Sequence, residues 1–123
     1  PFWHLGRLQW REIATLEVTM ERICFTFEIY EGAEAEYKKR HDEIWPELVH
    51  DIKAAGFSNY SLFRRGTQIV AYAEVSPDLA TAMATLGTSD ANARWSAWFE
   101  DLIVNLTDAK GRLMSLTEVW HLD

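Results

Sequence analysis

A regular pattern of apolar and polar side chains begins abruptly after about Met20 and predicts a set of strands. Residues 24–30 are rich in aromatic and β-branched side chains, which is typical of a strand buried on at least one face. Residues 57–65 and 68–75 have the same character, and residues 65–67 between them have the length and the glycine of a hairpin turn. The pattern therefore predicts a first strand and, later, an antiparallel hairpin.

Helical periodicity occupies the stretch between the first strand and the hairpin. Residues 33–55 predict a helix that begins after Gly32 and ends at Gly56. Pro46 falls inside this helix, where it removes a backbone donor and clashes with the preceding turn. We therefore expect a break at residues 43–45 and a second helix with Pro46 in its first turn.

The last part of the chain predicts two further helices and a final strand. One helical stretch covers about residues 77–86, and another covers residues 91–106. Ser89 or Asp90 is the expected cap of the latter. Residues 114–122 alternate well enough for a last strand. The apolar residues that share one face of the 91–106 helix are Trp95, Trp98, Phe99, Leu102 and Leu106.

The predicted order of strand, helix, hairpin, helix and strand is the ferredoxin-like βαββαβ arrangement, an α+β fold with an antiparallel sheet. Both helices of such a unit pack on one face of the sheet and leave the other face uncovered. A second copy of the chain is the commonest cover. We therefore expect a homodimer in which two sheets face each other, a dimeric α/β-barrel assembly.

The domain is expected to comprise residues 20–123. Residues 1–19 carry Trp3 and Trp10 but no clean period, so we interpret them as an N-terminal extension that is vector-derived or mis-called. An ordered tail whose aromatic side chains pack on the domain surface is the alternative.

Composition limits the partners and the compartment. The formal charge of −7 argues against a nucleic-acid partner, because phosphate binding uses clustered lysine and arginine. The two basic clusters, residues 38–40 and 64–65, are short and are interpreted as a solvated helix face and a turn. Cys24 is the one cysteine, so no intrachain disulfide can form and nothing indicates an oxidising compartment. No apolar segment has the length of a membrane span, so we expect a cytoplasmic protein.

The sequence also lacks the patterns of a metal or nucleotide site. No glycine-rich phosphate loop occurs, and the histidines have no paired ligand spacing. We therefore expect neither a metal nor a cofactor. The histidines lie at His4, His41, His50 and His121.

Tyr37 and His41 are the first candidate site residues. They lie four residues apart in a predicted helix, so both can reach one small ligand. A histidine exchanges a proton near neutral pH, which makes it the natural acid or base of a cofactor-free reaction. The alternative is a core histidine satisfied by a backbone carbonyl. The same face continues with the apolar residues Ile44, Trp45, Leu48 and Ile52, which indicates that it points inward.

Residues 37–48, Tyr-Lys-Lys-Arg-His-Asp-Glu-Ile-Trp-Pro-Glu-Leu, resemble the signature Y-x-x-R-H-x-x-I-W-P-E-L of the L-rhamnose mutarotases. The likeness covers about residues 20–122. It includes residues 59–61, which are similar to the second-strand tyrosine of the family, and residues 94–95, which are similar to the start of its R/K-W-W element. This resemblance implies a cofactor-free isomerase that interconverts the anomers of a 6-deoxy sugar on a dimeric ferredoxin-like fold.

The resemblance also implies residue roles. His41 takes the position of the proton donor, and water or a carboxylate such as Glu118 is its expected partner. Tyr37 and Tyr60 fall at positions that orient sugar hydroxyls, and Trp95 falls at a position that stacks on the sugar. For Trp95, ordinary packing between helix and sheet is the alternative.

Two departures from the family pattern bear on the sugar. Ser96 stands where the family has its second tryptophan, and residues 105–112 replace the family segment N-P-D-N-S-P. A hydroxymethyl group in place of an indole opens space and offers a hydrogen bond. We therefore expect Ser96 to contact substrate and to favour a sugar such as L-fucose at least as much as L-rhamnose. The alternative is that Trp98 fills the same volume.

Two other classes of function remain open at this point. A cofactor-independent monooxygenase or isomerase on the same dimeric scaffold would also use a lone histidine in an aromatic pocket, but without polar residues for a sugar. A non-catalytic dimer that binds a small molecule is the other class, because a fold does not fix a function.

Overall fold

The structure, a computed structural model, describes residues 19–123. Residues 1–18 lie outside the described residues, so the interpretation of residues 1–19 as an extension stays a prediction. The elements in chain order are β1 (Glu21–Ile29), α1 (Glu34–Asp42), α2 (Pro46–Ala54), β2 (Phe57–Arg65), β3 (Gln68–Val75), α3 (Leu79–Leu86), α4 (Asp90–Phe99), β4 (Ile103–Asn105) and β5 (Met114–Ser115).

The strands form one antiparallel sheet in the order β2-β3-β1-β4, and β5 also pairs with β1. This is the α+β fold with the ferredoxin-like order that the sequence predicts. β2 and β3 are joined by a tight turn at Gly66, whose positive φ of 58° is a conformation that glycine adopts without strain. The predicted hairpin is therefore confirmed.

The predicted helix break is also confirmed. α1 ends at Asp42, and α2 begins with Pro46 at its first position after an extended Trp45. Gly56 follows α2 with a φ of 112°, and a side chain at this position would collide with the backbone oxygen of Ser76. The glycine is therefore required both by its conformation and by the close approach of the two backbones.

The helix predicted over residues 91–106 is shorter in the structure. α4 ends at Phe99, the chain turns, and Ile103–Asn105 pairs with β1 as β4. The apolar residues at 102 and 106 continue the helical spacing only by coincidence. Leu102 is buried within the turn, where its carbonyl accepts the N–H of Tyr30 at 2.9 Å.

The final strand predicted over residues 114–122 is also too long. Only Met114–Ser115 forms a ladder with β1, and the N–H of Leu116 adds one bond to the carbonyl of Cys24 at 2.7 Å. Ser115 pairs with Phe25 in antiparallel register, so Glu21, the first residue of β1, falls opposite position 119 and β1 has no residues left for positions 120–122. Those positions lie exposed beyond the described sheet.

The helices cover one face of the sheet and bury a core in two parts. One part centres on Phe27, Tyr37 and Phe99, beneath α1 and α4. The other centres on Phe57 and on the small residues of β3, beneath α2 and α3. A cavity lies between the helices and the sheet and is bounded by residues from both parts.

The opposite face of the sheet is not covered by any helix among residues 19–123. Side chains alternate along the strands, so Cys24, Val70 and Tyr72 point to this face, while the fully buried Ala71 and Ala73 point to the helices. Phe63 lies on the same open face and is 62% exposed.

Candidate active site

The cavity between the sheet and the helices has a volume of about 620 Å³, which is in the range of small-molecule sites. Its walls come from β1, β2, all four helices and the segment after α4, and they are mostly apolar. All five residues predicted as site residues line it. These residues are Tyr37, His41, Tyr60, Trp95 and Ser96.

His41 is held at the cavity wall by aromatic rings and by one hydrogen bond. Its ring centroid lies 4.5 Å from that of Tyr37 and 5.0 Å from that of Phe99. Nδ1 lies 2.9 Å from the backbone oxygen of Tyr37, and it must donate because a carbonyl only accepts. The proton is thereby fixed on Nδ1, and Nε2 carries the lone pair.

Nε2 of His41 is the nitrogen left for chemistry. It has no hydrogen-bond partner in the described part of the chain, and no side-chain nitrogen or oxygen there is both buried and unpartnered. Nε2 is therefore accessible, and the residue lines the cavity. The alternative of a core histidine satisfied by a backbone carbonyl therefore applies to Nδ1 alone, and Nε2 remains available.

The surroundings of His41 favour its neutral form. Burial lowers the pKa of His41 below its usual value of 6.5, and the hydrogen bond to Tyr37 and the charge of Asp42 only partly oppose this effect. The imidazole is therefore neutral at pH 7. A neutral imidazole with a free Nε2 is a proton acceptor.

Two phenols accompany the imidazole. Burial raises the pKa of Tyr37, and the nearby phenol of Tyr60 raises it further. Burial also raises the pKa of Tyr60, which lines the cavity and has 44% of its surface accessible. Both phenols therefore keep their protons at neutral pH and can donate hydrogen bonds.

Trp95 serves both as a packing residue and as a wall of the cavity. Its ring lies 4.6 Å from the ring of Phe99 and 5.4 Å from that of His41, measured between centroids. It also meets Trp45 edge to face at 5.1 Å. The two interpretations of Trp95, core residue and ligand contact, therefore both apply.

Ser96 faces the cavity and Trp98 does not. Ser96 lies on the lining, whereas Trp98 stacks on Trp45 with ring centroids 5.7 Å apart and is 41% exposed. The guanidinium of Arg40 also lies over the ring of Trp98, 4.3 Å from its centroid. The alternative in which Trp98 fills the volume of a missing tryptophan is therefore wrong.

Several polar residues of the cavity were not predicted from the sequence. Asn92 lies four residues before Ser96 on α4, so helical spacing alone would have placed both on one face. Asn59 of β2 borders the cavity, but its side-chain amide donates to Glu74. Lys53 of α2 also reaches the lining. These residues give a mostly apolar cavity several hydrogen-bonding groups.

Arg40 was interpreted as part of a solvated basic cluster, and this is wrong. It is 7% exposed, and its guanidinium forms a two-pronged bond to Asp101 at 3.0 and 3.1 Å. It also bonds Glu36 at 3.1 Å and the carbonyl of Trp98 at 2.8 Å. Arg40 therefore ties α1 to the end of α4 directly beside His41.

Glu118 lies outside the cavity, so the expectation that it partners His41 is wrong. Its carboxylate pairs with Arg22 at 2.8 Å, and this bond lowers the pKa of Glu118. Arg22 alternates with Ile23 along β1, and Ile23 is the one of the two that lines the cavity. Glu118 is thus held on the far side of the sheet edge.

Among residues 19–123, no three histidine, cysteine or acidic side chains are grouped closely enough to hold a metal ion. In the same residues, no helix combines the length and the apolar character that crossing a membrane requires.

Sequence comparison relates the chain to known proteins. The family profile described as L-rhamnose mutarotase matches residues 22–122. The chain is 34% identical over 104 residues to an L-rhamnose mutarotase of Burkholderia ambifaria, which covers 85% of this chain and 100% of that protein. It is 36% identical over 106 residues to an L-rhamnose mutarotase of Leptothrix cholodnii, with coverages of 86% and 100%.

Solved structures give the same relation. An L-rhamnose mutarotase from Formosa agariphila superposes with a TM-score of 0.65 and 29% identity over 84% of this chain and 99% of that one. The structure of Rv0793 from Mycobacterium tuberculosis superposes with a TM-score of 0.55 at 13% identity, covering 85% of this chain and 99% of that one, and this likeness concerns the fold alone.

The fold and the cavity define a small α+β protein in which one histidine and two phenols face a ligand-sized space. The profile match and the relatives narrow this class. The chain belongs to the L-rhamnose mutarotase family, a family of isomerases. The resemblance inferred from residues 37–48 is thereby confirmed.

Proposed function

We propose that this protein interconverts the α and β anomers of a 6-deoxy aldose, of the L-rhamnose or L-fucose type, by acid–base opening and closing of the sugar ring. The observation that carries this proposal is the state of His41. Its Nδ1 is tied to the carbonyl of Tyr37, while its Nε2 is free beside the cavity. A positioned imidazole of this kind accelerates proton transfer by about 10²–10⁴-fold.

Ring opening needs one base and one acid. Nε2 of neutral His41 accepts the proton of the anomeric hydroxyl, and the electron pair of that O–H bond forms the carbonyl. The bond between the anomeric carbon and the ring oxygen breaks, and the ring oxygen takes up a proton. Rotation about the adjacent carbon–carbon bond and reversal of these steps give the other anomer. On closure the imidazolium returns its proton. This role differs from the expected one, a protonated His41 that donates to the ring oxygen, because the lowered pKa of His41 favours its neutral form.

The acid is a group other than His41, because the second ring nitrogen is occupied by a backbone carbonyl. Tyr60 is our candidate. Its phenol stays protonated at neutral pH, lies in the cavity and is close enough to Tyr37 to influence the pKa of that residue. Tyr37 then orients a hydroxyl group, and Trp95 offers an apolar face to the sugar.

The polar lining supports a sugar over a flat hydrophobic substrate. A monooxygenase pocket needs no ring of hydrogen-bonding groups, whereas Ser96, Asn92 and Lys53 all line this cavity together with the phenols. The apolar wall suits a 6-deoxy sugar, whose terminal methyl group replaces a hydroxyl. Ser96 is part of this proposal as a substrate contact that widens the choice of sugar.

A homodimer is also part of the proposal. The open sheet face carries the exposed Phe63, and the end of the chain exposes Val119, Trp120 and Leu122 at 90%, 75% and 74%. A second copy that covers these residues would remove apolar surface from water. Each Å² of apolar surface buried in this way contributes about 25 cal/mol of favourable free energy. Sedimentation of the wild type and of Phe63→Glu tests this step, and a wild type that sediments as a monomer contradicts it.

A cytoplasmic location belongs to the same proposal. Cys24 is the single cysteine of the chain and is a free thiol, which suits a reducing compartment.

The direct test is saturation-transfer NMR on L-rhamnose, L-fucose and ordinary aldoses. We expect catalysed exchange between the anomeric protons of the 6-deoxy sugars. Binding without exchange would favour a non-catalytic protein, and no effect on any aldose would remove the proposal.

A further inference from the structure

β2 contains an irregularity next to Tyr60. Phe57 pairs with Val75 and Leu62 pairs with Ala71, and both partners are fully buried beneath the helices. Phe57 and Leu62 therefore face the same side although they are five positions apart, which a regular strand does not allow. The register shifts between Ser58 and Ser61, so one extra residue is inserted there as a β-bulge.

The bulge decides which way Tyr60 points. Without the extra residue, the alternation that starts at Phe57 would put the side chain at position 60 on the open face of the sheet. With it, Tyr60 lines the cavity, and its ring centroid lies 6.0 Å from that of Phe57. The phenol is thus delivered to the cavity by a local backbone feature.

Asn59 forms the bulge by adopting a left-handed conformation. Its φ is 47°, and it is the one residue other than glycine with a positive φ among residues 19–123. Side chains generally disfavour this region, and asparagine is among the few residues that tolerate it. The residue type and the backbone conformation therefore agree.

The conformation is held from the other side of the sheet. Nδ2 of Asn59 donates to Oε2 of Glu74 at 2.7 Å, and the hydroxyl of Tyr72 donates to the same oxygen at 2.8 Å. These bonds lower the pKa of Glu74, so its carboxylate is ionised and accepts both. Glu74 is therefore a charged anchor for the bulge.

We propose that Asn59 and Glu74 are a positioning pair that turns Tyr60 into the cavity. The left-handed bulge directs the side chain of Tyr60, and the hydrogen bond between Asn59 and Glu74 stabilises the bulge. Neither residue needs to touch the reacting atoms. The inference rests on the role proposed for Tyr60, and it adds the reason why a phenol on an edge strand of the sheet reaches the substrate.

The test compares two substitutions at one position. Asn59→Gly keeps the left-handed conformation and loses only the hydrogen bond to Glu74. Asn59→Ala loses the same bond and also disfavours the conformation. We expect Asn59→Ala to lower kcat/KM for anomer exchange about tenfold, and Asn59→Gly to lower it by less than half as much on a logarithmic scale. Tyr72→Phe, which removes the other donor to Glu74, is the matched control and should leave kcat/KM unchanged.

Two measurements separate positioning from general damage. In a Tyr60→Phe background, Asn59→Ala should cause no further loss of kcat/KM, because its effect passes through the phenol. In isotope-labelled protein without sugar, the NMR contact between the rings of Tyr60 and Phe57 should persist in Asn59→Gly and disappear in Asn59→Ala. The NMR result does not depend on the activity, so it tests the inference even where the proposed function fails.

Three outcomes would overturn the inference. Equal losses in Asn59→Gly and Asn59→Ala would show that the left-handed conformation does not contribute. An undiminished loss in the Tyr60→Phe background would assign it to folding. A Tyr60 ring that keeps its contact with Phe57 in Asn59→Ala would show that the bulge does not direct the phenol.

Discussion

The backbone carbonyl of Tyr37 accepts the Nδ1 proton of His41 at 2.9 Å, one helical turn away on α1. This single bond fixes the tautomer and leaves Nε2 as the working nitrogen. It joins the two residues that the sequence pattern singles out, and it does so through the backbone of one of them. Substitution of Tyr37 therefore leaves the bond in place, whereas substitution of His41 removes the base.

His41→Gln is expected to lose most of the catalysed anomer exchange, by about 10²–10⁴-fold, while the protein stays folded. Saturation-transfer NMR gives the rate, and circular dichroism checks the fold. His50→Gln is the matched control, because His50 is exposed and lies outside the cavity. An unchanged exchange rate in His41→Gln would reassign His41 to a structural role.

The pH dependence follows from the lowered pKa of His41. The reaction needs the neutral imidazole, so kcat/KM should be on its plateau at neutral pH and above and fall as the pH decreases through the lowered pKa, with its midpoint below pH 6.5. A midpoint above 6.5 would contradict a buried neutral base. Tyr60→Phe should lower the plateau without moving this acidic limb.

The same group contributes to stability with a defined sign. The pKa of His41 is lower in the folded chain than its usual 6.5, so the unfolded chain binds the proton first as the pH falls. The contribution of neutral His41 to the free energy of unfolding is present above pH 6.5 and is lost as the pH falls through the pKa that His41 has in the folded chain. Urea unfolding at about pH 7 and pH 5 should show a smaller loss of stability in His41→Gln than in the wild type.

Sequence patterns were sufficient where one residue type dictates the backbone. Pro46 cannot continue a helix, and the break between α1 and α2 falls at the predicted place. They failed where a tertiary contact decides. Leu102 keeps the apolar spacing of a helix, yet the chain has already left α4, because the edge of β1 offers backbone partners to residues 103–105.

The candidate site shows the same division between features that local patterns predict and features that tertiary contacts decide. Helical spacing placed Tyr37 beside His41, and the family resemblance added Tyr60, Trp95 and Ser96. Alternation along β2 would have placed Tyr60 on the wrong face, because the bulge at Asn59 has no signature in a period of two. The sequence pattern did not predict the burial of Arg40 either, since the partners that bury it come from a turn that is distant in the sequence.

Arg40→Met is expected to destabilise the fold by about 1–3 kcal/mol, because it removes a largely buried guanidinium and leaves the carbonyl of Trp98 without its donor. Urea unfolding measures this change. Lys38→Met is the matched control on the same helix. Its ion pair with Asp42 is exposed, so the change should stay within about 0.5 kcal/mol. Equal effects of the two substitutions would remove the structural role assigned to Arg40.

Trp95→Ala is expected to raise the sugar concentration for half-maximal rate more than it harms folding. Because Trp95 also packs on Phe99 and Trp45, Trp95→Phe provides a variant that keeps a ring in the core. It should show a smaller shift in the same direction. Trp98→Phe changes an indole outside the cavity and should leave the half-maximal concentration unchanged. If Trp95→Ala gives only insoluble protein and Trp95→Phe behaves as wild type, Trp95 is a core residue alone.

Ser96 gives the sharpest test of substrate choice. Ser96 lines the cavity, and Trp98 is stacked on Trp45 and so does not replace the missing indole. The space beside Ser96 should therefore admit a different hydroxyl orientation, and we expect the wild type to exchange L-fucose at least as well as L-rhamnose. Ser96→Trp should fill this space and shift the ratio of the two exchange rates toward L-rhamnose, while Ser96→Ala removes only the hydrogen bond. A wild type that strongly prefers L-rhamnose, with the same ratio in Ser96→Trp, would show that position 96 does not set the specificity.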